Sequence, residues 1–260
     1  MMAVELSYSE FGSGSPVVIL HGLFGSKRNW QSIGKRIGAN HHVFVVDLRN
    51  HGDSPWDDAM RYADMAADIA ALLKRRSLGP AAIVGHSMGG KASMMLALTE
   101  PRLVERLCVV DIAPAPSGGT LIDYIKDMRA MDLSAFSRRS EVEDAMKETI
   151  ADPAIRAFLA HNVRTGPDGL SWQVNLAVLE ASFDDIMGFP DMHPKHYTGK
   201  SLFLAGGRSD YILPHHHAVI ESLFPKADVD VVPNAGHWVH AEQPALFIEK
   251  LSAFLGSDGS

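Results

Sequence analysis

Ala82-Ile83-Val84-Gly85-His86-Ser87-Met88-Gly89-Gly90-Lys91 is the stretch whose reading decides the fold. Its first three residues are a short apolar, β-branched run, Lys91 to Leu98 favours a helix, and Gly85-His86-Ser87-Met88-Gly89 lies between them. A serine at so sharp a strand-to-helix turn is held in a strained backbone conformation with its hydroxyl projecting into solvent. Glycines two residues to either side let strand and helix pack close. The helix N-terminus below favours developing negative charge. Ser87 is therefore the candidate nucleophile.

Similar runs recur outward in both directions, at Val17 to Leu20, Val43 to Val46, Leu107 to Val110, Leu202 to Leu204 and Val229 to Val232. Most read as strands buried on both faces. Helical stretches lie between them, the clearest being Tyr62 to Arg76, where Met65, Ile69, Leu72 and Leu73 share one face. Alternating strand and helix predicts right-handed crossovers and a mostly parallel central sheet flanked by helices, with working loops at the carboxyl ends of the strands. The alternation stops between about Ala115 and Lys200, where the pattern is helical or irregular without convincing strand runs. Turn-rich edges mark that break, Ala113-Pro114-Ala115-Pro116-Ser117-Gly118-Gly119 on entry and Gly188-Phe189-Pro190 through Gly199 on exit. The expectation is an α/β core from residues 1–114 and 200–260, with an inserted helical lid at 115–199.

Composition sets the outer bounds. A chain of 260 residues, 46% hydrophobic and 21% charged, is neither disordered nor a mini-protein scaffold. With 24 basic against 31 acidic side chains and no basic stripe, it makes a poor partner for nucleic acid or an anionic membrane surface. Its apolar runs are four or five residues long. A spanning helix needs roughly 20, so no membrane insertion is expected. Cys108 is the sole cysteine, which excludes an intrachain disulfide and a thiol metal cluster. Met1 to Phe11 lacks a basic start and a long apolar run and carries Glu5 and Glu10, so the reading is a cytoplasmic protein. The small, polar tail Gly256 to Ser260 is expected to fray.

A serine hydroxyl needs a base within hydrogen-bond reach and an acid to orient that base. Asn234-Ala235-Gly236-His237-Trp238 follows the last strand run and offers His237 as base, with His240 as its nearest rival. Gly206-Gly207-Arg208-Ser209-Asp210 offers Asp210 as acid one strand earlier, and Asp111, at the end of the strand after the nucleophile helix, is the alternative. His21-Gly22-Leu23-Phe24-Gly25 follows the first run and can present the Leu23 amide beside that of Met88 as an oxyanion hole. Phe24, Tyr124, Trp172, Tyr211 and Trp238 are candidates for an apolar acyl pocket. His21 and His86 flank these turns and are expected to hold backbone. In His215-His216-His217 adjacent imidazoles on a helix point apart, so no metal is assigned there, and no cofactor is expected.

Five blocks carry a family resemblance: His21 to Ser26, Asp47-Leu48-Arg49-Asn50-His51-Gly52-Asp53-Ser54, Gly85 to Lys91, Val110-Asp111-Ile112-Ala113-Pro114, and Asn234 to His240. With them, and with the chain order Ser, Asp, His, the sequence resembles the α/β-hydrolases over nearly its whole length. More closely it resembles small bacterial esterases and a mitochondrial abhydrolase-domain relative. That resemblance implies the α/β-hydrolase fold and hydrolysis of short or medium acyl esters or thioesters. In this group the turn after the penultimate strand often lacks an acid, and the aspartate of the Asp111 block is the candidate instead. Here both acids are present, and Asp210, at the commoner α/β-hydrolase position, is taken first. Haloalkane dehalogenases and epoxide hydrolases of this fold carry aspartate at the nucleophile turn, so Ser87 argues against both. The reading is a serine carboxylesterase acting on a small-molecule acyl ester through an acyl-enzyme on Ser87. Its rivals are a thioesterase or carbon-carbon bond hydrolase with the same triad, and a slow-turnover ligand-binding protein of the same fold.

Overall fold

The computed structural model describes residues 3–256. Of the tail expected to fray, all but Gly256 therefore lies outside the described residues. Nine strands are described: β1 (Tyr8–Phe11), β2 (Pro16–Leu20), β3 (His42–Val46), β4 (Ala81–His86), β5 (Val104–Val110), β6 (Val163–Gly166), β7 (Gly169–Trp172), β8 (Lys200–Gly206) and β9 (Ala227–Val232). Seven of them form one sheet in the order β1-β3-β2-β4-β5-β8-β9. Every neighbouring pair in it is parallel except β1 with β3.

The short apolar runs are continuous because the sheet has two buried faces. Val18, Leu20, Phe44, Val46, Ile83, Leu107 and Val109 point into one core with the helices Tyr62–Arg75 and Met88–Thr99. Val17, Ile19, Val43, Val45, Val84, Cys108 and Val110 point into the other, against Trp30, Ile33, Phe247 and Leu251. Cys108 is fully buried there. Each strand therefore feeds both cores, and a polar residue on either face has nowhere to go. β1 escapes a reading based on apolar runs because Tyr8-Ser9-Glu10-Phe11 is a half-exposed edge strand. The opposite edge, β9, carries Asp228 and Asp230, charges of the kind that discourage edge-to-edge pairing.

Residues 115–199 leave the sheet after β5 and return at β8. They hold the helices Leu121–Ala130, Arg139–Ala145, Pro153–Ala160, Leu176–Ala181 and Phe183–Met187. They also hold the hairpin β6–β7, which the reading of that stretch as helical or irregular does not contain. Its strands mix polar and apolar residues on a half-exposed surface, so they lack the apolar run that marks a core strand. Contacts on both flanks moor the hairpin to the core, and Arg164 of β6 pairs with Asp53. Asn162 Nδ2 donates to the Phe24 carbonyl at 2.9 Å, and Val174 bridges to His51. No helix among the described residues is long and apolar enough to cross a membrane.

A buried ion pair fixes the loop after β3. Arg49 Nε donates to Asp68 Oδ2 at 2.6 Å and its Nη2 to Asp68 Oδ1 at 2.8 Å, which locks the loop to the helix Tyr62–Arg75. Both side chains are almost wholly excluded from solvent, at 2% and 0% exposure. Without Asp68 the buried guanidinium loses both of its short carboxylate contacts and keeps only the partly exposed Asp57 at 3.2 Å and the Ala59 carbonyl at 3.0 Å. Asp68→Ala is therefore expected to destabilise the fold by about 3–5 kcal/mol, read as a lower urea midpoint at an unchanged slope.

Candidate active site

Ser87 sits between β4 and the helix Met88–Thr99 with φ 52° and ψ −119°, a conformation that side chains rarely adopt. Two glycines make the turn possible. A Cβ on Gly85 would lie 2.3 Å from the Gly89 carbonyl oxygen, and one on Gly89 would lie 2.5 Å from that of His21. The Ser87 amide donates to the Val110 carbonyl at 3.0 Å, so the hydroxyl is held clear of the backbone network.

His237 comes from the loop after β9 and Asp111 directly follows β5. The Ser87 hydroxyl lies 3.0 Å from His237 Nε2, and His237 Nδ1 lies 2.7 Å from Asp111 Oδ2. Asp111 is fully buried and, like Ser87, has a positive φ, of 50°. Its Oδ1 accepts from the Gly206 amide at 2.8 Å, and its Oδ2 also accepts from the Ser209 hydroxyl at 2.5 Å. Three donors on one buried carboxylate hold it aimed at the imidazole. The acid taken first from the sequence is not the one the fold brings to the imidazole. Asp210 is exposed and lines a separate cavity with His215 and His216. The physical reason is the strand order: β5 lies between β4 and β8, so the residue ending β5 stands nearer Ser87 than the turn after β8. Ser209, which the sequence reading passed over, turns that same loop into a support for Asp111.

The remaining first candidates divide. The amides of Leu23 and Met88 donate to no acceptor among the described residues, whereas the Phe24 amide is taken by His51 Nε2 at 3.3 Å. A cavity of about 440 Å³ opens over Ser87 and His237, with Leu23, Phe24, Tyr124, Phe158, Tyr211 and Trp238 among its lining. Four of the five aromatic candidates thus meet there. Trp172 does not: it closes β7 and lines a surface cleft with Asp53 and Arg164. Its place on the hairpin, which the sequence reading lacked, explains the difference. The Tyr211 ring stacks on the His237 imidazole with centroids 4.0 Å apart. Burial, and secondarily Asp111, pushes the Tyr211 phenol up, so it stays neutral beside the imidazole.

His240, the rival base, also borders the cavity but is buried, its ring stacked on that of Trp30 with centroids 3.8 Å apart. Among the described residues no cluster of three or more His, Cys, Asp or Glu is arranged to hold a metal ion. His216 of the histidine run accepts from the Leu213 amide through Nδ1 at 3.1 Å.

Comparison with known proteins follows the same lines. The family described as the alpha/beta hydrolase family matches residues 17–250. The chain is 41% identical over 247 residues to the sn-1-specific diacylglycerol lipase ABHD11 of Mus musculus, covering 92% of this chain and 80% of that protein. It is 32% identical over 248 residues to the esterase YbfF of Escherichia coli strain K12, covering 94% of each. Among solved structures, a marine microorganism esterase superposes with a TM-score of 0.94 at 36% identity, covering 97% of this chain and 100% of that one.

Three further histidines brace the loops of the site. His21 donates from Nδ1 to the Gly22 carbonyl and accepts the Leu48 amide at Nε2, at 2.8 and 3.0 Å. His51 donates from Nδ1 to the Arg49 carbonyl at 3.0 Å while accepting the Phe24 amide. His86 donates from Nε2 to the His237 carbonyl at 2.8 Å. Burial holds these three and His240 toward the neutral form. His51 is pulled from 6.5 to about 3 by burial and then by His21, and His240 to about 3 by burial and then by His237. Burial lowers His21 and His86 as well. A folded pKa below the unfolded one means that the unfolded chain binds the extra protons. Stability from these rings is full above 6.5 and is lost as the pH falls toward 3. From pH 7.5 to 5.5, His51 and His240 together are expected to cost about 3 kcal/mol, measured by urea unfolding at the two pH values. Replacing His240 by a neutral residue is expected to remove its share of the slope.

Proposed function

The chain belongs to the alpha/beta hydrolase family, and from that premise we propose a serine carboxylesterase that hydrolyses short- to medium-chain acyl esters through an acyl-enzyme. It is a hydrolase acting on ester bonds, as its esterase relatives and family are. The proposal adds the working residues, the kind of substrate and the part played by residues 115–199. The observation that carries it is the unbroken line from Asp111 Oδ2 through His237 to the Ser87 hydroxyl, at 2.7 and 3.0 Å, beneath an apolar cavity.

In this reading His237 Nε2 takes the Ser87 proton as Oγ attacks the ester carbonyl, and Asp111 stabilises the imidazolium and holds its tautomer. The carbonyl oxygen becomes an anion over the Leu23 and Met88 amides, donors with no competing acceptor, of which that of Met88 opens a helix. His237 then returns its proton to the departing alkoxide, which leaves as the alcohol. Water, deprotonated by the same ring, attacks the acyl-enzyme and frees the acid. Side chains and amides supply every proton and charge in this sequence, so it calls on no cofactor.

Residues 115–199 serve as the lid. Leu121, Tyr124, Ile155 and Phe158 face the cavity from that segment, while Phe24 and Trp238 face it from the core. At about 440 Å³ the cavity is at the small end of the roughly 300–1,000 Å³ typical of ligand sites, which suits modest acyl chains.

The test is a p-nitrophenyl ester series from acetate to palmitate on wild type and three variants. Wild type is expected to favour the shorter esters. Ser87→Ala is expected to lose at least about four orders of magnitude in kcat, and Asp111→Asn about three to four. Asp210→Asn is expected to stay within about twofold. Near wild-type turnover by Ser87→Ala overturns the mechanism, and loss in Asp210→Asn with none in Asp111→Asn reassigns the acid.

A further inference from the structure

Lys91 lies one helical turn after Ser87, its amide bonded to the Ser87 carbonyl at 3.0 Å, and only 1% of the residue is exposed. A lysine so buried almost always faces a carboxylate. This one faces oxygens of another kind. Its Nζ reaches the carbonyls of Met187 and Gly188, each at 2.8 Å, and the Ser117 hydroxyl at 3.1 Å. Three ammonium protons thus meet three acceptors. Burial pulls the amine down to about 7, as befits an ammonium held by dipoles without a counter-charge.

The positions of those acceptors give the contact its meaning. Ser117 is where the chain enters the segment 115–199, and Met187 and Gly188 are where the last helix of that segment, Phe183–Met187, ends. The two roots are bonded to each other: the Ser117 amide donates to the Met187 carbonyl at 2.8 Å and its hydroxyl to the same oxygen at 3.2 Å. The Tyr62 hydroxyl captures the Ile186 carbonyl alongside. Terminal helix carbonyls lack partners within their own helix and carry partial negative charge, which a cation favours. An apolar side chain at position 91 would take from the Gly188 carbonyl its donor and from that of Met187 one of three.

We infer that Lys91 is a positioning residue: it pins both roots of the segment 115–199 to the helix that carries the nucleophile and so sets the outer wall of the acyl cavity above Ser87. The inference rests on the reading of that segment as the lid of an esterase. Leu121 and Tyr124 follow directly on the entry root and line the cavity, so slack at the root moves the wall that meets the acyl chain.

The test compares wild type, Lys91→Met and Ser117→Ala as full chains, by amide hydrogen exchange and by kinetics on p-nitrophenyl acetate and hexanoate. In Lys91→Met, amides of residues 117–188 are expected to exchange about tenfold faster while β4 and the helix Met88–Thr99 keep their protection. KM for hexanoate is expected to rise about tenfold, with kcat on acetate within about threefold of wild type. Ser117→Ala, which keeps the ammonium and removes one acceptor, is expected to shift both readouts the same way by about threefold. It decides the matter if Lys91→Met does not fold. Faster exchange spread evenly over sheet and segment, or kcat lost equally on both esters with KM unchanged, overturns the inference. A wild type that cleaves neither ester defeats the esterase reading instead, and the exchange arm still judges the clamp.

Discussion

Backbone pressed against backbone, at distances only glycine tolerates, is the constraint on which this structure rests. Under the nucleophile, Gly85 and Gly89 allow the helix Met88–Thr99 to start against the ends of β2 and β4. Under the base the same device recurs, since a Cβ on Gly206 would come within 2.3 Å of the Gly236 carbonyl oxygen. Gly206 also lends its amide to Asp111. Two bare approaches therefore set how far Ser87, His237 and Asp111 stand from one another. The sheet fixes the spacing of β4, β5, β8 and β9, and the glycines remove the slack that side chains would add above it.

On that frame the loops are braced by neutral rings. An imidazole with one nitrogen donating and the other accepting is a two-ended bracket, and His21 and His51 both act so. His51 has a particular effect: by taking the Phe24 amide it leaves that of Leu23 as the free donor beside Met88. Lysine or arginine in these places would bring a charge among the loops that surround Ser87. Neutral rings give the same direction without it. Asp111 is thus the charge closest to the imidazole, where a positive ring benefits from it.

Much of this was legible in the amino-acid order, and the parts that were not share a cause. The turns that carry Ser87 and His237 could be read because glycines and a preceding apolar run mark each within a few residues. The break in the alternation between β5 and β8 could be read because prolines and glycines punctuate its edges. The choice between Asp111 and Asp210 depends instead on which strands lie side by side, and adjacency in a parallel sheet is not written locally. Trp172 went astray with the hairpin, whose strands bury too little to leave an apolar run. Lys91 appeared only as the last letter of the nucleophile block, because its partners lie 26 to 97 residues away.

Cys108 has a practical consequence for anyone probing this molecule. It lies in β5, fully buried, with its thiol pushed well up by that burial, so the thiolate that electrophiles attack is scarce and walled in. The folded chain is in effect blank to thiol chemistry. A reagent that tags the native protein once is therefore not reporting on a thiol, and a cysteine placed by design on the surface of residues 115–199 would be the one accessible thiol a fluorescent label finds.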